Sequence, residues 1–494
     1  MITRPHSRVG HGPTRGRDSL VVAAGAVVGC AVTAFVFWPG YLSYDSLWQL
    51  QQARGDVALS DWHPPAMSLL WRALTTVTGS EASLALGQSV ALWSALGLIA
   101  FVVSRATSRL WTGLAVLAIG LFPPVLTITG VVWKDVQMAL ALLLAIALTA
   151  VVVYRRPSST PVRLVIFAAA IILLAYATIV RKNAVFAIIP LLVLVTVVFW
   201  PARGWKRWVV TVVSFALAVA VPTALIEFVA KPTKTSQVTQ IFIDDIINVV
   251  PSKELAAADV RSDVRSKLVR AQEVCRAKDS VVNSYWTCYG QGADGPFTAV
   301  ANPGEIQRLW MAEMPSHLPG YVQYRARLFV DLLFATRQPY QEGVLSNDLG
   351  INVAHPQAER ALASYVTGMR RDVPVLFSGW FWLLVCLGIA LVPGRHRWTW
   401  VVRACGWSGA LYILGYAPVV PATDFRYVYW SVVAGTLGLT LALVARRTDP
   451  ASATPPERGE GRQVDPTRGA DEDDRNGWHD GRHADPLPRP AAPR

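Results

Sequence analysis

Trp133-Lys134-Asp135 opens a run, residues 136–154, that reads VQMALALLLAIALTAVVVY. No charged residue interrupts it. A helix rises 1.5 Å per residue and needs about 20 apolar residues to cross roughly 30 Å of hydrocarbon. The run is therefore expected to span a membrane, with an aromatic and two ionisable groups at one end. Nine further stretches read the same way, approximately 19–38, 83–104, 110–129, 162–180, 184–201, 207–230, 373–393, 398–420 and 427–445. Pro123-Pro124 and Pro222 interrupt two of them. Residues 19–38 follow an Arg-rich start like a signal peptide. They are long for one and lack a small-residue cleavage site after them, so a retained anchor is expected.

Composition agrees with this pattern. Of the 494 residues 53% are hydrophobic and only 16% charged, whereas soluble domains carry about 25% charged residues. That is too few charges to cover a water-facing surface of this size. A mainly disordered chain, a disulfide-rich secreted module and an ordinary cytosolic enzyme are excluded. The expected fold class is an all-α polytopic membrane protein with about ten transmembrane helices. The net charge of +13 follows from topology, because cytoplasmic loops retain Lys and Arg. No zinc-finger spacing or basic stripe with interleaved aromatics is present, so no nucleic-acid partner is expected.

The basic residues set the orientation. Arg4, Arg8, Arg15 and Arg17, then Arg105 and Arg109, Arg155, Arg156 and Arg163, Arg203, Lys206 and Arg207, Arg395 and Arg397, and Arg446 and Arg447 occupy alternate loops. The positive-inside rule makes these loops cytoplasmic and, with ten spans, both termini too. The expected organisation is a cytoplasmic tail 1–18 and seven spans over 19–230, with the first outer loop at 39–82. An extracytoplasmic insert 231–372, three spans over 373–447 and a disordered cytoplasmic tail 448–494 follow. The insert contains a polar helical stretch at 260–274 and a turn cluster at 290–295. The tail is rich in Pro, Gly, Asp and Arg and cannot bury a core. No internal repeat is visible.

Cys30, Cys386 and Cys405 lie in apolar runs and read as small core residues. Cys275 and Cys288 share the insert, where an oxidising compartment would permit a disulfide. Their spacing alone leaves that pairing open, since it does not give the Cα separation. No CxxC pair, GxxxxGK[ST] loop or HExxH occurs, and Gly406-Trp407-Ser408-Gly409 is one residue short of a GxSxG elbow. These absences weaken hydrolase, ATPase and metalloprotease readings.

Four connectors on the expected outer side carry the remaining chemistry. The first reads Pro39-Gly40-Tyr41-Leu42-Ser43-Tyr44-Asp45-Ser46, and later Ser60-Asp61-Trp62-His63-Pro64-Pro65. The others are Val132-Trp133-Lys134-Asp135, Val180-Arg181-Lys182-Asn183 and Thr423-Asp424-Phe425-Arg426-Tyr427. Charged groups near lipid are costly and usually face a bundle interior or a wet cavity. Four such turns on one side suggest one shared cavity. Lys134, Arg181, Lys182 and Arg426 would bind phosphate through charge-assisted hydrogen bonds. Asp45 and Asp61 are carboxylates able to take a proton from an acceptor hydroxyl, with His63 shaping the site. That set suits transfer of a sugar from a phosphate leaving group through an oxocarbenium-like transition state.

Plainer readings fit each turn singly. Asp45 fits an N-cap for the helix that follows it. His63 fits a turn residue or an interfacial imidazole. Lys134 with Asp135, and Arg426 with Asp424, fit local ion pairs. Arg181 and Lys182 fit headgroup snorkelling. The tyrosines and Trp430 fit an interfacial aromatic belt.

Tyr44-Asp45-Ser46 and Asp61-Trp62-His63-Pro64-Pro65 resemble the start of GT-C-fold integral-membrane glycosyltransferases. The His-Pro-Pro element is similar to that of protein O-mannosyltransferases. The Trp133-Lys134-Asp135, Arg181-Lys182-Asn183 and Asp424-Phe425-Arg426-Tyr427 turns look like those of other bacterial membrane proteins allied to that class. So does the segment 315–334, with Pro319, Tyr321 and Arg327. The resemblance covers roughly residues 19–445. It implies a transferase of the cytoplasmic membrane with an extracytoplasmic active site. Its partners would be a polyprenyl-phosphate sugar donor, membrane lipid and an envelope glycan, lipid or protein acceptor. It also implies that an Asp of the first outer loop is the catalytic base, a position that Asp45 matches best and Asp61 second. Tyr44, Asp135, Asn183, Asp424 and Tyr427 would support the site. No cofactor is implied with certainty, and a divalent cation is compatible with the carboxylates. Unlike the best-known patterns, the chain has no acidic pair at Asp45-Ser46 and no DxD at Trp133-Lys134-Asp135. A non-catalytic transporter or flippase of lipid-linked glycans, and a scaffold for envelope assembly, are the competing functions.

Overall fold

The computed structural model describes residues 13–157, 159–200, 204–278, 284–290, 302–334, 340–394 and 397–448. Arg4, Arg8, Arg203, Arg395, most of the 290–295 cluster and the expected tail from 449 onward lie outside the described residues. The helices are α1 (Pro13–Val36), α2 (Tyr44–Arg54), α3 (Pro65–Thr78), α4 (Ser83–Thr107), α5 (Leu110–Ala118), α6 (Pro123–Thr129) and α7 (Lys134–Arg155). Then come α8 (Thr160–Val180), α9 (Ala184–Phe199), α10 (Lys206–Leu225), α11 (Val238–Val249), α12 (Ser252–Ala257) and α13 (Ser262–Ala277). The last are α14 (Pro303–Ser316), α15 (Leu318–Phe334), α16 (Pro356–Asp372), α17 (Gly379–Ala390), α18 (Arg397–Leu414) and α19 (Tyr429–Thr448). Among the described residues no strand forms, and the class is all-α.

The 136–154 run becomes the centre of the bundle. Helix α7 is apolar all round, as a core helix must be, and packs against α4, α8, α9, α18 and α19. Among the described residues six helices are long and apolar enough to cross a membrane, and a seventh span arises if α5 and α6 count as one. This is a multi-pass membrane protein. The expected ten spans are not matched in number, although a helix lies at each of the ten places. Helix α9 has 16 residues, α17 has 12 and α18 has 18. At 1.5 Å per residue α17 is only about 18 Å long. Pro374 explains its late start: it opens a 3-10 turn, Pro374–Phe377, and the helix begins after the extended Ser378.

The two proline interruptions behave differently. Phe122, just before Pro123, is extended (φ −70, ψ 126), and the chain bends by 50° between the α5 and α6 segments. A residue before proline is pushed out of the α region, which accounts for the break. Pro222 lies inside α10, and the helical path continues through a π turn to Ala230. It does not end the span.

Helices α17, α18 and α19 close into a packed trio. Gly406 and Gly409 are the reason they approach so closely. A Cβ on Gly406 would fall within 2.8 Å of the Ala390 backbone and 2.6 Å of the Cys386 carbonyl. Small residues at such crossings let membrane helices come into contact. Ser408 between them donates to the Ala187 carbonyl (2.6 Å) and accepts from Trp430 Nε1 (2.9 Å). The near-GxSxG stretch is thus a packing element.

Residues after α10 build a second core. Ile243, Ile246, Leu255, Leu268, Cys275, Cys288, Tyr289 and Ile306 pack together from α11 to α14. A disulfide joins Cys275 to Cys288. Helices α15 and α16 instead contribute Tyr324, Leu328, Leu332, Leu362 and Val366 to the main core.

Gly406→Val should overpack the α17–α18 crossing at a cost of about 1–3 kcal/mol or more. Thermal unfolding of the purified protein in detergent should show a lowered midpoint. A midpoint equal to the wild type would mean that the crossing is looser than described.

Candidate functional site

Backbone pairing first brings two connectors together. Tyr41 N–H donates to Gly130 O and Val132 N–H donates to Tyr41 O, both at 3.0 Å. Ser46 Oγ donates to Val132 O (2.9 Å), and Trp133 Nε1 donates to Ser43 Oγ (2.6 Å). The start of α2 is therefore fixed against the start of α7. Ser43, not Asp45, is the N-cap of α2, and Ser46 Oγ accepts its backbone N–H (3.2 Å). The capping reading of Asp45 is overturned. Asp45 sits in the first helical turn, where a carboxylate is favoured by the helix dipole.

The last connector supplies the counter-charge. Arg426 Nη1 donates to Asp45 Oδ2 at 2.8 Å, and Arg426 Nε lies 3.3 Å from Asp424 Oδ2. The guanidinium also lies over the rings of Trp133 (5.0 Å) and Tyr427 (5.2 Å). Arg181, just past the end of α8, pairs with the buried Asp135 (3.2 Å) and donates to Tyr416 Oη (2.8 Å). Its guanidinium lies 5.0 Å from the Tyr427 ring. Tyr427 is thus shared by both arginines. Lys134 is within electrostatic reach of Asp45, Asp135, Arg181 and Arg426, yet has no hydrogen bond or ion pair among the described residues.

The Asp61–Pro65 element folds around its prolines. Pro64 is the N-cap of α3 and Pro65 its first residue, a position where a missing N–H costs nothing. His63 is 5% exposed, its Nε2 lies 4.0 Å from Asp45 Oδ1, and its Nδ1 has no hydrogen-bond partner. At 4.0 Å the pair is in electrostatic contact but not hydrogen bonded.

Burial pushes the His63 imidazole down to about 4; Asp45 opposes this, while Lys134, Arg426 and Arg181 add to it. The ring is neutral at pH 7. Burial raises the Asp45 carboxyl, but Arg426, His63 and Lys134 outweigh it and hold the group well below the usual carboxylate range.

Asp45, His63, Lys134, Asp135, Arg181, Asp424, Arg426 and Tyr427 therefore converge. Four other sequence candidates are placed differently. Asp61 Oδ1 accepts from the backbone N–H and the hydroxyl of Thr235, both at 2.6 Å, tying the first connector to the segment after α10. Lys182 is exposed and makes no ion pair among the described residues. Asn183 caps α9 without a side-chain hydrogen bond. Tyr44 is exposed beside Asp45. For a cation, no third His, Cys, Asp or Glu completes a set with Asp45 and His63 among the described residues. The one three-ligand group there is Glu254, Glu313 and His317. Two cavities of about 520 and 340 Å³ lie along α2 and α3 near Leu50, Thr75 and Glu81 and include none of the converging residues.

Sequence reasoning missed Tyr416 and Arg325. Tyr412 and Tyr416, four apart in α18 and the turn after it, hydrogen bond to each other (3.1 Å), a polar pair in an apolar run that could have been noticed. Arg325 is buried in α15. It pairs with Asp245 (2.7 Å) and donates to the carbonyls of Ile241 (3.3 Å) and Val420 (3.1 Å). Trp310 Nε1 donates to the other Asp245 oxygen (2.8 Å). Val420 begins the connector that carries Asp424 and Arg426, so Arg325 clamps that connector to α11.

No family model matches the chain, and no curated protein matches it. Two solved structures do. ArnT from Cupriavidus metallidurans in the apo state is 16% identical, with 88% of this chain and 78% of that chain covered and a TM-score of 0.32. The same protein bound to undecaprenyl phosphate is 14% identical, with 81% and 77% covered and a TM-score of 0.29. Likeness this loose does not align site residues, and the site rests on the contacts within this chain.

Arg325→Ala strands a buried carboxylate and should cost about 3–5 kcal/mol, seen as a lower unfolding midpoint. Arg325→Met with Asp245→Asn should recover much of it, and equal midpoints for the two variants would refute the clamp. His63 gives a pH signature. Its folded pKa of about 4 lies below the ordinary 6.5, so the unfolded chain takes up the proton first as pH falls. Stability should be full above about pH 6.5 and decline toward pH 4, and His63→Gln should flatten that decline. An unchanged slope would remove His63 as its source.

Proposed function

We propose that this chain is a GT-C-like membrane glycosyltransferase. It moves a sugar from a polyprenyl-phosphate donor to a cell-envelope glycan, lipid or protein on the extracytoplasmic face of the cytoplasmic membrane. One observation carries the reading: Lys134, unpaired among the described residues, stands among two arginines and a carboxylate drawn from separate connectors.

The chemistry follows from those charges. Lys134 offers three donors with no acceptor engaged among the described residues, and Arg181 and Arg426 flank it. Together they fit a phosphate whose charge grows as the sugar C1–O bond breaks. The acceptor oxygen forms the new bond to C1 and passes its proton to Asp45. In the resting site Asp45 is a weak base, because Arg426 holds it ionised. A donor phosphate would draw Arg426 toward itself, leaving Asp45 with less positive charge and a stronger pull on the acceptor proton. Donor binding would thus precede acceptor activation.

A transport path calls for ionisable groups at mid-depth on broken helices. Here Lys134 begins α7, Arg181 follows α8 and Arg426 precedes α19, all at helix ends. That favours a reaction site at one end of the bundle.

The test uses full-length protein in nanodiscs with a polyprenyl-phosphate sugar and an envelope fraction. Asp45→Asn should lower transfer at least about 100-fold, within the range of a lost general base. It should still bind undecaprenyl phosphate. Lys134→Ala should weaken that binding about tenfold, equivalent to ~1.4 kcal/mol. Wild-type transfer by Asp45→Asn, or wild-type lipid binding by Lys134→Ala, would contradict these roles.

A further inference from the structure

Exposed aromatic side chains flank Asp45 along the chain and reach toward His63 through ring contacts. Tyr44 is 67% exposed, Trp48 44% and Trp286 43%. Tyr44 immediately precedes Asp45, and Trp48 lies four residues on, one turn along the same helix face. The rings of Tyr44 and Trp286 stack at 6.3 Å and 26°. Trp286 meets Tyr285 edge-on at 5.6 Å, and Tyr285 packs against Trp62 at 5.7 Å. Trp62 precedes His63. The wall therefore runs from the neighbour of Asp45 to the neighbour of His63.

The Trp286 end of this wall is anchored. Cys288, two residues from Trp286, is joined by a disulfide to Cys275 in α13. Tyr289 is fully buried and donates to Asp244 Oδ1 at 2.8 Å. Trp62 and Tyr285 pack on the second core. Large exposed rings beside an anchored segment fit an occupant with a flat apolar face. Aromatic faces are electron-rich and attract the slightly positive C–H edge of such a group.

We propose that Tyr44 and Trp286, with Trp48, form the acceptor subsite, and that the acceptor presents a pyranose ring to them. This deepens the glycosyltransferase reading and rests on it. A pyranose has one apolar C–H face for the rings and hydroxyls at its edge, one of which would meet Asp45. A prenyl chain has no hydroxyl to offer that carboxylate. The disulfide makes the subsite depend on an oxidised Cys275–Cys288 pair.

The experiment is saturation-transfer NMR and affinity measurement on the full chain in nanodiscs, with mannotriose, maltotriose and chitotriose as probes. At least one trisaccharide should bind the wild type, with transfer to its ring C–H protons. Tyr44→Ala, Trp286→Ala and Cys288→Ser should each weaken it about tenfold, with Trp286→Phe intermediate. Trp205→Ala, at an exposed tryptophan elsewhere, should leave binding unchanged. Unfolding midpoints identify any variant that fails to fold, and Trp286→Phe then carries the comparison. No binding by any trisaccharide, wild-type affinity in the aromatic variants, or equal loss in Trp205→Ala overturns the subsite. So does weakening of undecaprenyl phosphate binding instead, which would assign the rings to the lipid chain. Undecaprenyl phosphate binding in the same samples separates the two ideas. If it depends on Lys134 while no sugar binds, the subsite alone fails. If it is absent too, the glycosyltransferase reading fails with it.

Discussion

The ion pair between Asp45 and Arg426 is the contact on which the rest of the site depends. It joins the first turn after the first span to the last connector, 381 residues later. Both partners are largely removed from water, so each needs the other: a lone charge there would pay a large desolvation cost. Around the pair the remaining charges fall into order. Asp424 shares Arg426, Asp135 takes Arg181, and Lys134 is left over. Among the described residues each carboxylate of the cluster has a cation, and Lys134 has no carboxylate of its own.

The scaffold serves this arrangement from three directions. Backbone pairing between residues 41 and 131 sets α2 beside α7. Glycine contacts let α17, α18 and α19 pack closely enough to fix the connector that precedes α19. Arg325 then clamps that connector from α15, through a buried pair with Asp245. The α11–α14 core therefore holds the arginine connector through Arg325 and Asp245, and it anchors Trp62 and Tyr285 of the aromatic wall.

Much of this was legible beforehand. Apolar runs located a helix at each expected place, and shared sidedness brought Asp45, Lys134, Arg181 and Arg426 into one group. Helix lengths were not legible, because apolarity does not reveal where a proline-led 3-10 turn delays a helix, as at Pro374. Sidedness also says nothing about direction around an axis. Arg181 and Lys182 were indistinguishable in sequence. Arg181 is extended (φ −147, ψ 106), so its neighbour points the other way and stays in the open. Asp61 looked like a second base and is instead bonded to Thr235, a partner 174 residues away that no local pattern indicates. Arg325 lay within a segment already singled out, but it was the exposed Arg327 that drew notice.

The proposed function requires a lipid phosphate to enter this charge cluster and take Arg426 from Asp45. A structure of the full chain in nanodiscs with undecaprenyl phosphate tests it most directly. A phosphate should lie within hydrogen-bond distance of Lys134 and Arg426, with the 2.8 Å contact between Arg426 and Asp45 lengthened or broken. A phosphate bound away from Lys134, with the Asp45–Arg426 pair intact, would contradict it.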